Sequence, residues 1–328
     1  MELEQIREIG VIGSGTMGPG IALAFARHGY RVRLCDQAEE ALRAARSVMS
    51  ASLKTMAKHG LVEASGIRDI EDRVDYTTSL KAAAENAGYV AECITENPEA
   101  KRGLFRQLGE ICAPGAIFAS NTSFLNIFEL VPEDRLPNTV IAHWFAPPHI
   151  LPLVEVVREP KTSGQTERVV VELLRAIGKT PVVIKKYVPG FVINRIQRII
   201  GREVLFLLDN GYISPEDMDL AVKASLAPRM MVLGLVQRYD FTGLDLSARN
   251  LENEQKKGYL EAPVNYAPRS LVDRVRQGHL GVKTGKGFYD YGDRSREEVL
   301  AERDEHLIRI LQTAGPLAGP PPAPEPKK

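Results

Sequence analysis

His143 and Glu155 are the residues on which acid–base chemistry can be built. His143 closes the strand candidate 139–143, and Glu155 lies inside a second candidate, 153–157. Pro147, Pro148 and Pro152 shape the connection between them, and proline fixes φ and removes a donor, so the link is stiff. A carboxylate beside an imidazole fixes its tautomer, favours its charged form and leaves the second ring nitrogen free to exchange a proton with a substrate. Taken alone, a histidine at a strand end is more often a satisfied structural residue, so its neighbours must decide. Ser123 ends the segment Ser120-Asn-Thr-Ser123, which follows a strand at the carboxyl edge where doubly wound sheets bind ligands. Asn194, Gln197 and Gly201 share one helix face, opposite Ile196, Ile200, Val204 and Leu207. The Asn194 amide can donate to a substrate oxygen or act as a structural cap, and both remain open.

The element that must place a cofactor against this pair is at the start of the chain. Ile9-Gly-Val-Ile12 reads as a strand, Gly13-Ser-Gly15-Thr16-Met17-Gly18 as a glycine loop, and an alanine-rich helix and a strand ending at Asp36 follow. In a dinucleotide-binding βαβ unit the first glycine permits the tight turn. The second lets the backbone approach a pyrophosphate, and the third lets the helix pack closely. Unpaired amides at the helix start then face the phosphates. Asp36, eighteen residues beyond Gly18, can accept hydrogen bonds from a ribose and would repel a 2′-phosphate, which favours NAD over NADP. FAD enzymes share this opening, and only the rest of the chain separates them.

Composition narrows the partners. Lysine plus arginine equals aspartate plus glutamate at 42 each, with no concentrated basic stretch, so nucleic acid and anionic membranes have no electrostatic support and a small-molecule ligand fits better. Cys35, Cys93 and Cys112 lack metal-ligand spacing and read as buried reduced thiols of a cytoplasmic protein, with no metal site expected. The opening MELEQIREIG is acidic and leads directly into the first strand, unlike a signal or transit peptide. No apolar run approaches a membrane span.

At 328 residues the chain suggests about two domains. Residues 38–60 read as a long polar helix with apolar positions Leu42, Val48, Leu53 and Met56, projecting from the sheet within a helical insertion at about 38–75. Strand candidates at 89–94, 116–120, 139–143, 153–157 and 181–185 alternate with helices at about 98–111 and 165–177, the pattern of a mostly parallel sheet. Pro189-Gly190 breaks the chain, and beyond it the pattern is helical, with Ser214 as N-cap, Pro215 at the first position and Asp217 completing a capping box. The expected fold is α/β: a Rossmann-type doubly wound domain at 1–188, an all-helical domain at 189–313, and a disordered proline-rich tail at 314–328.

Six segments in order, GVIGSGTMGPGIA, AECITEN, ASNTSFL, HWFAPPHILPLVEVV, PGFVINRI and GVKTGKGFYDY, together resemble the 3-hydroxyacyl-CoA dehydrogenase family over about residues 6–291. That resemblance selects nicotinamide over flavin. It implies that His143 is the general base with Glu155 as its partner, and that Ser123 and Asn194 orient the substrate oxygen. It also implies cofactor contacts from Gly13, Gly15, Thr16, Met17, Gly18, Asp36, Glu96, Lys101, Ser123 and Lys283. A turn of structural glycines is the alternative reading for the segment around Lys283. This chain departs from the pattern at three places. Ala146 replaces a family asparagine near the nicotinamide. Ser52 matches a CoA-contacting serine, but the lysine expected seven residues later is His59, with Lys58 beside it. Arg229 lies in a segment that is normally a glycine- and proline-rich turn. Relatives acting on free acids, L-gulonate 3-dehydrogenase and carnitine dehydrogenase, also place an arginine there, and its fork suits a carboxylate, a solvated site or an intersubunit ion pair.

The resemblance therefore implies NAD-dependent oxidation of an (S)-3-hydroxyacyl-CoA to the 3-oxoacyl-CoA, as in fatty-acid β-oxidation, by a homodimer joined through its helical domain. The alternative is an NAD-dependent dehydrogenase of a small free 3-hydroxy acid, motivated by Arg229 and the altered CoA lysine. A third reading, a non-catalytic NAD-sensing protein, is opposed by the intact Ser123, His143, Glu155 and Asn194.

Overall fold

The structure, a computed structural model, describes residues 1–257 and 263–315. The proline-rich tail expected from residue 314 therefore lies, beyond Gly315, outside the described residues. The described residues form two compact units, one of residues 1–195 with 304–308 and the other of the described residues within 196–303 and 309–315.

The first unit is built on one eight-stranded sheet. Its strands are β1 (Glu8–Ile12), β2 (Arg31–Cys35), β3 (Val74–Thr77), β4 (Tyr89–Glu92), β5 (Ile117–Ser120), β6 (Thr139–Trp144), β7 (Leu153–Val157) and β8 (Thr180–Ile184), in the order β3-β2-β1-β4-β5-β6-β7-β8. All neighbours run parallel except β6 and β7. Strand β3 begins at the end of the stretch expected to be helical, about 38–75. Its short sequence Val-Asp-Tyr-Thr alternates weakly, and only pairing with β2 makes it a strand.

Both sheet faces are covered, which is why most strands read as continuous apolar runs. On one face α1 (Gly18–Arg27), α2 (Glu39–Lys58), α3 (Ile67–Glu71) and α6 (Gly164–Ala176) pack their apolar stripes. On the other are α4 (Leu80–Ala84), α5 (Pro98–Ile111) and the segment Ile127–Leu136. The helix starts follow local chemistry. Asn97 caps α5 through Ala100 N–H with Pro98 at the first position, and Ser163 caps α6 through Thr166 N–H.

Helix α2 does not simply project. It packs one face inward through Leu42, Ala45, Met49, Leu53 and Met56, and Val48, expected on that face, is exposed.

The second unit is helical. It takes the body of α7 (Ile193–Asp209), then α8 (Pro215–Ala221), a π-helical turn at Val222–Leu226, α9 (Ala227–Leu233), α10 (Gln237–Thr242), α11 (Leu244–Lys257), α12 (Arg269–Arg276) and most of α13 (Arg296–Ala314). Ser214 caps α8 as the spacing predicts, accepting from Asp217 N–H at 3.0 Å while its hydroxyl donates to the Asp217 carboxylate.

Candidate active site

Strands β6 and β7 are buried, antiparallel neighbours, and their register places His143 directly opposite Glu155. Both side chains are almost wholly buried, and His143 Nδ1 lies 2.9 Å from Glu155 Oε2. The other carboxylate oxygen, Oε1, accepts the amides of Val192 and Ile193 at 3.0 and 2.9 Å. Those amides lie at the start of α7, one just before it and one at its first residue, where unpaired N–H groups and the positive dipole end favour an anion. Phe191 turns the chain into that position with φ +50°, a left-handed conformation rarely adopted by a bulky residue. Its ring also packs 5.3 Å from the His143 ring, with Phe145 at 4.6 Å. A carboxylate at Nδ1 puts the proton on that nitrogen, so Nε2 is the accepting nitrogen. Ser123 Oγ stands 3.3 Å from Nε2 and donates to it.

Ser123 is itself held by an acidic network. Its N–H donates to Glu96 Oε1, and Thr122 Oγ1 donates to Glu96 Oε2 at 2.8 Å. Lys101 Nζ lies 3.7 Å from Glu96, donates to Glu92 Oε1 at 2.6 Å and is 1% exposed. Glu92 is fully buried and also accepts from Ser120 Oγ and Ile94 N–H. The Glu96 carboxylate thus positions the Ser123 loop, and the buried Lys101 side chain braces both glutamates. Glu92 escaped the sequence reading, although a lone acid in the apolar strand Tyr-Val-Ala-Glu signals a paired partner.

The glycine loop fits a dinucleotide. Gly13 has φ +106°, and a Cβ there would meet the Cys93 carbonyl at 2.6 Å. A Cβ on Gly18 would collide with the Gly13 carbonyl, so this third glycine closes the loop onto itself. A Cβ on Gly15 meets nothing within 4 Å, which leaves room for a diphosphate against the backbone. Met17, the residue before α1, offers no side-chain cap, so the first-turn amides preceded by Thr16 and Met17 keep their donors. At the end of β2, Asp36 accepts from Ser14 N–H at 2.8 Å, Ser14 Oγ at 2.9 Å and Ala38 N–H at 3.2 Å. Burial pushes this carboxyl up, but the hydrogen bonds from Ser14 and Ala38 together outweigh it and hold Asp36 below the usual carboxylate range. A glycine cradle with open amides and an ionised acid at the second strand suits the phosphates and ribose of NAD.

The remaining predicted residues fall elsewhere. Asn194 follows Ile193, whose amide binds Glu155, and is half-buried at the start of α7. Ser52 is half-buried on α2. Lys58 Nζ is 2.5 Å from Glu305 and His59 Nε2 is 3.7 Å from the same carboxylate. Arg229 does not sit in a turn. The segment is helical, and the exposed guanidinium folds back onto Ser225, its Nε 3.2 Å from the carbonyl oxygen. Lys283 is exposed in the short turn Val282–Thr284 of the second unit and lines a cavity of about 620 Å³ with Arg274, His279, Phe288 and Tyr289. Among the described residues no helix is long and apolar enough to cross a membrane. The thiols of Cys35, Cys93 and Cys112 are free, and burial pushes those of Cys35 and Cys112 up to about 11.

A dinucleotide cradle at the head of a doubly wound sheet, with a buried histidine–carboxylate pair beside a serine, defines an NAD-dependent oxidoreductase. Residues 8–187 match the NAD-binding domain of 3-hydroxyacyl-CoA dehydrogenase and residues 190–291 match its C-terminal domain, and the chain belongs to that family. It is 32% identical to a 5-formyl-3-hydroxy-2-methylpyridine 4-carboxylate 5-dehydrogenase of Mesorhizobium japonicum, over 93% of this chain and 97% of that one. A probable 3-hydroxybutyryl-CoA dehydrogenase of Bacillus subtilis is 35% identical over 89% of this chain and 99% of its own. An L-carnitine dehydrogenase of Streptomyces griseus is 29% identical over 96% and 92%. The crystal structure of a 5-formyl-3-hydroxy-2-methylpyridine 4-carboxylic acid 5-dehydrogenase superposes with a TM-score of 0.82 at 32% identity, covering 94% of this chain and 98% of that one. That of the (S)-3-hydroxybutyryl-CoA dehydrogenase of Ralstonia eutropha superposes at 0.68 with 29% identity, covering 88% and 100%.

Proposed function

We propose that this dehydrogenase oxidises the alcohol of a small hydroxy acid bearing a free carboxylate, in preference to the acyl-CoA thioester that its motifs suggest. The observation that carries this reading is Glu305. It belongs to α13, which begins after residue 291, where the match to the family's C-terminal domain stops. Its carboxylate engages both His59, which stands where the resemblance places a CoA-contacting lysine, and Lys58 beside it at the end of α2. An acid there competes for the Lys58 ammonium and repels the phosphates of CoA. Two relatives named for acids without CoA align with 93% and 96% of this chain, against 89% for the 3-hydroxybutyryl-CoA relative, which supports the same choice.

In this reading His143 Nε2 takes the hydroxyl proton, Ser123 Oγ orients the oxygen, and Glu155 balances the imidazolium that forms. Asn194 donates to the same oxygen, and Asp36 and the glycine loop hold the dinucleotide. A nicotinamide bound in that cradle would supply the acceptor for the hydride of the carbinol carbon. Acid–base help of this kind contributes about 10² to 10⁴ in rate.

The acyl-CoA reading stands second, favoured by the 35% identity to the 3-hydroxybutyryl-CoA relative. A homodimer joined through the helical unit belongs to either reading, supported by Val232, Val236 and Phe241, which are 78%, 81% and 71% exposed. The free thiols support a reducing, cytoplasmic setting. NADH formation across a panel of CoA thioesters and matched free hydroxy acids tests the choice. Turnover of free acids is expected, and turnover confined to thioesters overturns it.

A further inference from the structure

The loop joining His143 to Glu155 is held from three sides. Pro148 and His149 lie against Gly20 in α1, so closely that a Cβ on Gly20 would stand 2.6 Å from Pro148 Cγ and 3.2 Å from His149 Nδ1. Lys179, just before β8, donates from Nζ to the carbonyls of Pro148 and Leu151 at 2.7 and 3.0 Å. On the third side His149 Nε2 faces Asp304 Oδ2 at 3.6 Å, their side chains 9% and 11% exposed.

Asp304 comes from α13, and Asp304–Ile308 is the only part of that helix counted with the first unit. Ile308, one turn on, is 1% exposed and is counted with the same unit, so its burial anchors the segment. We propose that Asp304 is a positioning residue for the cofactor side of the site. Through His149 it presses the loop onto α1, the helix whose first turn faces the dinucleotide phosphates. The loop transmits the restraint in both directions, since Phe145 at its other end packs on the His143 ring. The contact comes from a helix outside both matched family domains, so the C-terminal segment adds a third restraint to a loop that α1 and Lys179 already hold.

Trp144, the single tryptophan of the chain, adjoins this loop and is 2% exposed, which makes it a reporter of NADH binding. NADH titrations of the full-length chain, followed through Trp144 emission, are made on Asp304→Ala, His149→Ala, the double variant and Asp304→Glu. Each single alanine variant is expected to raise the NADH Kd about fivefold, and the double variant to be no worse than either, because coupled residues are not additive. Asp304→Glu should recover most of the affinity. Unchanged Kd in the single variants, or losses that multiply in the double variant, overturn the proposal. Should Asp304→Ala fail to fold, Asp304→Asn and His149→Gln run the same cycle. NADH binding is independent of the substrate, so this result and the choice between acid and thioester fail or stand separately.

Discussion

Glu155 binds His143 with one carboxylate oxygen and the first amides of α7 with the other, so a single buried acid joins the catalytic imidazole to the start of the helical segment. The pair arises from strand register, because residues directly opposite in an antiparallel ladder are side-chain neighbours.

Removing the base should separate chemistry from cofactor binding. His143→Ala is expected to lower kcat by about 10² or more while NADH affinity is kept, since the glycine cradle is untouched. Steady-state kinetics and NADH titration check this, and near wild-type turnover in a folded variant would return His143 to a structural role.

Glu155→Gln should be the more damaging to the fold. It weakens support for the imidazolium and also the charge-assisted bonds from Val192 and Ile193 amides, each worth about 1.5–3 kcal/mol. A lowered Tm together with a lowered kcat is expected, whereas His143→Ala should leave the α7 amides bonded. Equal Tm values for the two variants would contradict the dual role.

The loop glycines should fail differently. Gly18→Ala drives a methyl into the Gly13 carbonyl and should lower Tm sharply. Gly15→Ala enters open space and should keep Tm while losing NAD affinity, as the methyl occupies the phosphate approach. Thermal melts with NAD titrations read both effects, and a stable Gly18→Ala enzyme would refute the packing argument.

Asp36 should enforce NAD over NADP, and Asp36→Ala should weaken NAD and narrow the discrimination. Because its folded carboxyl titrates below the usual range, its bonds to Ser14 contribute stability at neutral pH. The contribution is lost as pH falls through the depressed folded value. Asp36→Ala should therefore flatten the acid limb of the stability profile, and an unchanged limb would count against it.

Lys179 gives the opposite slope. Burial, with a smaller push from Arg27, lowers its ammonium to about 7. The folded protein then binds fewer protons than the unfolded chain above that pH, and stability should rise from about pH 7 toward the ordinary lysine value near 10. Lys179→Met should remove that rise in Tm, and a rise of equal size in the variant would show that another group causes it.

The local signals in the chain were strong enough to specify the cofactor half. Strand, glycine loop, helix and acid are contiguous, so Gly13, Gly15, Gly18 and Asp36 could be read from spacing, and the order of six motifs identified the family that the domain matches show. His143 and Glu155 were legible as a pair, but the reason assigned to them, a stiff proline link, was secondary to the antiparallel register. Tertiary structure alone decided what depends on residues far apart in the chain. Strand β3 exists through its pairing with β2, Lys101 is drawn inward by the buried Glu92, and Val48 turns outward because α2 packs through Met49 instead. Most consequential, α13 returns across more than one hundred and fifty residues to set Glu305 against Lys58 and Asp304 against His149. Periodicity reports which face of an element is apolar, and it carries no information about which distant charge that face will meet.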